Sequence, residues 1–332
     1  MSQRQFSDRL TAGQPGTAQA AAIQCAPAVL MVRPAHFGYN PQTADSNRFQ
    51  HAAQDVVSIP EQALAEFAGL HDALQDAGVR TYVADDTREA VKPDAVFPNN
   101  WVSFHSDGTI VLYPMHAANR RLERRLDILT AVESQLPFHR RRLLDFTAEE
   151  QRGRSLEGTG SLVLDHVQRV AYACRSPRTD ESLVREWAQA MDYEPVVFDA
   201  AGRDGEAVYH TNVMLAVGSR VVVCCTEAMA AADRQRVCAR LSSSGREFIE
   251  IGMPAMYAFA GNVLELRAHT GAAATQSVLV MSTSARVAFN ENQWAQLSAT
   301  VDRVIVAPVP TIEIQGGGGV RCMLAEVPES PA

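Results

Sequence analysis

Three residues of this 332-residue chain carry the parts of thiolate chemistry: Glu157 in "LEGTG", His210 in "YHTN" and Cys322 in "GGGGVRC". A thiol, an imidazole and a carboxylate together are the set that thiolate nucleophilic catalysis uses, with the imidazole moving protons. More than fifty residues separate each from the next, so only the fold can bring them together. Gly316 to Gly319 stand just before Cys322. A glycine run is commonly a slack linker, but only thirteen residues follow this one. The alternative is a tight approach that delivers Cys322 to a defined point, between two apolar runs that read as strands. A phosphate loop is excluded, because no Gly-Lys-Ser/Thr follows. No pair of the other histidines has metal-ligand spacing, so no metal site is expected.

Elements that could position these residues alternate along the chain. "IPEQALAEFAGLHDALQDAGV" (59–79) reads as an amphipathic helix, with Pro60 in its first turn, a stripe of Leu64, Phe67, Leu70 and Leu74, and Gly78 as its stop. Similar patterns predict helices over 119–136, 180–191, 227–241 and 291–300, and β-rich runs such as "RTYVAD", "TIVLYP", "RVAYAC", "RVVVCC" and "SVLVMS" lie between them. Five strands follow a small or amide residue at a turn. Taking Asn100, Gly160, Asn212, Asn262 and Cys322 as reference points, the spacings are 60, 52, 50 and 60 residues. Five such units around an axis would place their turns together at the centre, in a propeller-like α/β arrangement. Any α/β protein alternates in this manner, so spacing alone leaves the repeat open.

Composition narrows the function. Hydrophobic residues are 46% of the chain, charged residues 20%, and the formal net charge is −8. A nucleic-acid binder needs a basic surface, so no nucleic-acid partner is expected. No apolar stretch approaches the roughly 18 residues that span a bilayer, so no membrane partner is expected either. The six cysteines show no C-x-x-C pair and no disulfide framework, and Cys224 and Cys225 read as buried small hydrophobes. Residues 1–22 are polar and rich in small residues, lack the order of a secretory signal, and read as a disordered segment; the expected location is the cytoplasm.

The order Glu-Gly-x-x, then His-x-x, then a glycine-rich turn into a C-terminal cysteine resembles the guanidino-group-modifying enzymes: arginine deiminases, dimethylarginine hydrolases and amidinotransferases. The likeness runs from about Met31 to Val327. It implies the pentein fold, a pseudo-fivefold five-bladed α/β propeller, as one catalytic domain over 23–330. It also implies Cys322 as nucleophile, His210 as general acid/base and Glu157 as the acid that binds the planar group, with no cofactor. Arg120 in "NRRLER" and Arg178 in "SPRTDE" match arginines that grip a substrate carboxylate in the resembled enzymes, a task suited to a planar fork.

The departures from that pattern point to the substrate. "FPNN" puts Asn100 where arginine-directed relatives have an aspartate, "EGTG" puts Gly160 in place of a second acid, and "HTN" puts Asn212 in place of a third. A guanidinium has only donors and wants acidic acceptors; a urea has a carbonyl beside its N–H groups, which an amide can serve. The expectation is therefore a small-molecule amino acid, citrulline, hydrolysed through an S-carbamoyl Cys322 to ornithine, carbon dioxide and ammonia, with Asn100 and Asn212 holding the ureido group. The resemblance is greatest to the citrulline-utilization hydrolases. A guanidine such as arginine, methylarginine or agmatine is the alternative. A non-enzymatic pentein that binds ribosomes is a remote one, since it would need no Cys, His and Glu together. Assembly into a homo-oligomer is left open.

Overall fold

The structure, a computed structural model, describes residues 23–52, 58–269 and 274–330. The segment expected to be disordered, 1–22, lies outside the described residues. Strands β1 (Ala28–Arg33) and β2 (Arg80–Asp85) come first. Then follow β3 (Val102–Phe104), β4 (Thr109–Leu112) and β5 (Arg142–Asp145), and β6 (Val163–Asp165), β7 (Val170–Cys174) and β8 (Glu194–Phe198). The second half holds β9 (Leu215–Val217), β10 (Val221–Cys224), β11 (Glu247–Glu250), β12 (Leu264–His269), β13 (Thr275–Ser282), β14 (Arg303–Ala307) and β15 (Ala325–Val327).

These strands form five three-stranded sheets among the described residues, each with its middle strand antiparallel to one neighbour and parallel to the other. Four are continuous in sequence; the fifth pairs β15 antiparallel with β1, Leu30 opposite Ala325, so the chain's two ends share one blade. The antiparallel pairs β3–β4, β6–β7 and β9–β10 are each joined by a short turn, whereas each parallel pair needs a helical crossover, which places helices outside the ring. This is the five-bladed α/β propeller, the pentein fold that the family resemblance implied, and it settles the repeat that spacing alone left open.

The crossover helices follow from their sequences. Ile59–Asp76 buries Ile59, Ala63, Phe67, Leu70 and Leu74, one stripe at helical spacing. Leu64, expected in that stripe, is 38% exposed, and Ala63 takes its place because the helix packs close against β2 and β14. Glu181–Met191 is capped by Asp180, which accepts from the Leu183 N–H, and Glu291–Ala299 opens with a capping box between Asn290 and Gln293.

Three expectations need correction. Residues 119–136 are not one helix: a 3₁₀ segment over Ala118–Glu123 ends at Arg124 and Arg125, both extended, before the α-helix Leu126–Gln135 begins. The break lets Arg120 turn inward while Arg125 reaches the Asp85 carbonyl outside. The helix expected over 227–241 likewise splits into a 3₁₀ turn, Thr226–Ala228, and Ala231–Ser242. The run before the four glycines is the helix Pro310–Gly316 rather than a strand, with Pro310 in its first turn. No helix among the described residues is long and apolar enough to cross a membrane.

Candidate active site

The five turns meet at one end of the propeller. Asn100 closes a 3₁₀ turn over Pro98–Asn100, and Glu157 stands at the start of the short helix Gly158–Ser161. His210 precedes the 3₁₀ turn Thr211–Val213 that carries Asn212, and Cys322 sits in a last one, Val320–Met323. Each turn is followed by the first strand of its blade, so five separate stretches of chain direct side chains to the axis. The four glycines are not a linker. Gly317 ends its helix in the left-handed region, φ 63°, its N–H bonded to the Glu313 carbonyl, and a Cβ there would stand 2.5 Å from Asn47 Nδ2. The run folds tightly under Asn47 and delivers Cys322.

Cys322, His210, Asn100, Arg120 and Arg178 line one narrow pocket. Glu157 lies behind it, fully buried, and joins the others. Its Oε2 accepts from His210 Nε2 at 2.8 Å and lies 3.4 Å from Arg178 Nη1 and 3.6 Å from Arg120 Nη1; its Oε1 accepts the His116 N–H at 3.0 Å. Burial alone would raise this carboxyl, but Arg178, His210 and Arg120 outweigh it and hold Glu157 well below the usual carboxylate range. An ionised Glu157 fixes the imidazole's tautomer: Nε2 carries the hydrogen and Nδ1 is left with a lone pair. Burial, opposed by Glu157, lowers His210 to about 4, so the resting imidazole is neutral. Burial also raises the Cys322 thiol, opposed by hydrogen bonds from amides. The resting pocket is thus lined by a neutral thiol and a neutral imidazole.

Asn212, expected to hold the substrate's ureido group, stands beside the nucleophile candidate, its Nδ2 3.6 Å from Cys322 Sγ. Asn100 is held by Arg120, whose Nη1 donates to Asn100 Oδ1 at 2.9 Å. A guanidinium only donates, so this contact fixes the amide, and Asn100 Nδ2 is left as a buried donor without a partner. Gly160 provides the space beside it: a Cβ there would stand 2.6 Å from Asn100 Nδ2 and 2.7 Å from His210 Nδ1. The two arginines are in the pocket wall, but protein acceptors hold them. Arg120 pairs with Glu123 through Nε and Nη2, both at 2.9 Å, and lies 3.5 Å from Asp94. Arg178 donates to Ser46 Oγ and the Thr43 carbonyl and lies over the Tyr209 ring.

Sequence reasoning missed several groups. Asn262 was a turn marker without a role, yet its Nδ2 lies 3.3 Å from Cys322 Sγ. Asp94 lines the pocket with Oδ1 unpartnered; an acid inside the apolar run "DAVF" was its one local signal. Tyr209 donates to the Gly317 carbonyl, and Asn47 and Gln50 bond the carbonyls of Gly317 and Gln315, so the segment around residues 43–50 closes one side of the pocket. Nothing local marked those contacts, which join residues up to 270 apart.

A family model described as N,N dimethylarginine dimethylhydrolase, eukaryotic, matches residues 33–329. No curated protein sequence matches the chain. Among solved structures, the substrate-bound N-terminal domain of ArgZ, an arginine dihydrolase from the ornithine-ammonia cycle in cyanobacteria, superposes with a TM-score of 0.69 at 16% identity, over 91% of this chain and 98% of that one. Unliganded AgrE gives 0.67 at 16% identity, over 92% of this chain but only 40% of that longer one. A histidine variant of dimethylarginine dimethylaminohydrolase, bearing an adduct with S-methyl-L-thiocitrulline, gives 0.61 at 16% identity over 91% and 99%. At that identity the likeness to these structures is one of fold.

Proposed function

The chain belongs to the N,N dimethylarginine dimethylhydrolase family, within the pentein guanidino-modifying superfamily, and on that premise we propose that it is a cysteine-dependent hydrolase acting on the ureido group of citrulline. The observation that carries the substrate is the amide of Asn100. Arg120 takes its oxygen, so the pocket is offered a donor, Nδ2, beside His210. A urea carbonyl completes that donor; the N–H₂ of a guanidinium would face it with another.

In the reaction, His210 Nδ1 takes the Cys322 proton and the thiolate attacks the ureido carbon, forming a C–S bond. His210 then gives that proton to the nitrogen of the departing ornithine as the C–N bond breaks, leaving S-carbamoyl Cys322. Water, giving a proton to Nδ1, attacks the thioester-like carbon; the C–S bond breaks, the thiol regains its proton, and the carbamate decays to carbon dioxide and ammonia. Glu157 holds the imidazole and steadies its charged form at each transfer. Arg120 and Arg178 give the pocket positive potential for the substrate carboxylate, and Asp94 Oδ1 is an acceptor suited to its ammonium group.

A guanidino substrate is the second reading, favoured by the acceptors of Glu157 and Asp94 near the pocket. A substrate panel decides, with ornithine and ammonia followed for citrulline, arginine and methylarginines. Citrulline is expected to exceed arginine in kcat/KM by roughly 10² or more, the scale of mismatched buried hydrogen bonds, and Cys322→Ala is expected to lose turnover while keeping its melting temperature. Faster turnover of arginine replaces the ureido reading with the guanidino one; full activity in Cys322→Ala ends both.

A further inference from the structure

Asn262 has no part in the reaction just described, yet its amide approaches the sulfur more closely than that of Asn212: 3.3 Å from Nδ2 to Sγ, against 3.6 Å. The same Nδ2 donates to the main-chain carbonyl of Asn212 at 2.9 Å. A carbonyl can only accept, so this bond fixes Nδ2 as the end nearer the sulfur, with Oδ1 3.7 Å away where it can accept from the neutral S–H. One N–H is spent on the carbonyl and the other is left for Sγ. The side chain is fully buried, so water does not compete for it.

Placing it there strains the chain. Phe259 has φ 63°, a left-handed conformation that bulky residues avoid, and its carbonyl accepts the Asn262 N–H at 2.8 Å. A Cβ on Gly261 would stand 2.5 Å from the Val213 carbonyl oxygen, so glycine is what lets the fourth turn lie against the third. Strain of this kind persists where the surroundings over-determine it, and it gathers at functional sites.

We propose that Asn262 is the donor that holds the thiolate of Cys322 and sets how readily the thiol ionises. This rests on Cys322 being the nucleophile. Ionisation breaks the S–H bond, leaves the electron pair on sulfur and passes the proton to Nδ1 of His210. The Asn262 N–H then changes from a weak contact with neutral sulfur to a charge-assisted hydrogen bond. His210 cannot supply this from its other nitrogen, because Nε2 is bonded to Glu157.

The test is the pH dependence of Cys322 alkylation by iodoacetamide in the full chain, read by peptide mass spectrometry so that the other cysteines do not contribute. Asn262→Ala removes the donor, Asn262→Asp keeps the shape but replaces it with an acceptor, and Asn262→Ser retains a shorter donor. The expected result is a midpoint at least about one pH unit higher in the Ala and Asp variants, hence alkylation about tenfold or more slower below the midpoint. The Ser variant should recover part of the shift, and Asn212→Ala should show a smaller one. An unchanged midpoint in any folded Ala or Asp variant, or a larger shift in Asn212→Ala, overturns the proposal. The readout involves no substrate, so it stands apart from the choice between citrulline and arginine; full activity in Cys322→Ala would instead strike the reading beneath it.

Discussion

Arg120 donates to Oδ1 of Asn100 at 2.9 Å, and that bond leaves Nδ2 as the unpartnered end of the amide. The arginine is itself immobilised by its two bonds to Glu123, so it cannot follow if Asn100 turns over, and the flipped amide would set its Nδ2 against the Nη1 donor. The amide is thus a fixed donor at a position where the resemblance led one to expect an acid.

Asn100→Asp tests the point directly. One carboxylate oxygen would take the bond from Arg120 and the other would face the pocket, turning the donor into an acceptor. Citrulline kcat/KM should fall by roughly 10–100-fold, the worth of a mismatched buried hydrogen bond. Arginine activity should not appear, because Gly160 and Asn212 still supply no acid. Steady-state kinetics on both substrates checks this; an unaltered citrulline kcat/KM would show that the amide does not read the ureido group.

The arginines separate into one that supports the structure and one better suited to testing substrate binding. Arg120→Ala would leave Glu123 and Asp94 buried beside no cation, at a cost of about 3–5 kcal/mol in denaturant-melt stability. Arg178 is held mostly by neutral acceptors, apart from Glu157, so Arg178→Ala should cost less stability. It should chiefly weaken binding of α-amino acid substrates, by about 1.5–3 kcal/mol. Equal KM values for citrulline in Arg178→Ala and the parent would remove Arg178 from substrate binding.

The repeat of turn, strand, strand and helix was legible because each blade restates it, with the small or amide residue marking the start of an inner strand. Cys322, His210 and Glu157 were legible because reactive side chains stood at those marks. What escaped detection depends on the folded chain. Asn262 acquires its place only when the fourth turn meets the third, and Arg120 acquires its acid partners only because residues 119–136 break into two pieces. Tyr209 and Asn47 act on the glycine run from far away in sequence, which no local pattern reports. Gly160 was read as a lost acid; the structure adds why no acid fits, since Asn100 and His210 occupy that space.

Two buried histidines, His105 and His210, and a half-buried one, His166, predict an acid-labile fold. Burial lowers His105 from 6.5 to about 3, and His166 and His210 to about 4. The folded values lie below the unfolded one, so the unfolded chain takes up protons first as pH falls. The stability they contribute is complete above about 6.5 and drains away towards about 4, by about 1.4 kcal/mol per histidine for each pH unit. Glu157, held below its ordinary 4.5, adds loss only below that value. Urea midpoints should therefore be clearly lower at about pH 5 than at about pH 8. His105→Asn should flatten part of that slope; equal midpoints at the two pH values would contradict the burial argument.

Gly160→Ala separates the catalytic geometry from stability. The added Cβ would stand 2.6 Å from Asn100 Nδ2 and 2.7 Å from both Nδ1 and Cε1 of His210, distances at which something must move. Asn100 is tied to Arg120 and His210 to Glu157, so neither can retreat without losing a buried hydrogen bond. Whichever yields, the donor for the ureido carbonyl or the lone pair that takes the Cys322 proton is displaced, and misplacement of about 1 Å can cost roughly 10²-fold in rate. The expected result is a loss of that order in kcat/KM for citrulline. The melting temperature should fall only modestly, because the methyl meets the ends of two side chains rather than backbone. A Gly160→Ala protein with parental kinetics would mean that the pocket relaxes around the methyl and that His210 Nδ1 and Asn100 Nδ2 are not held where the reaction needs them.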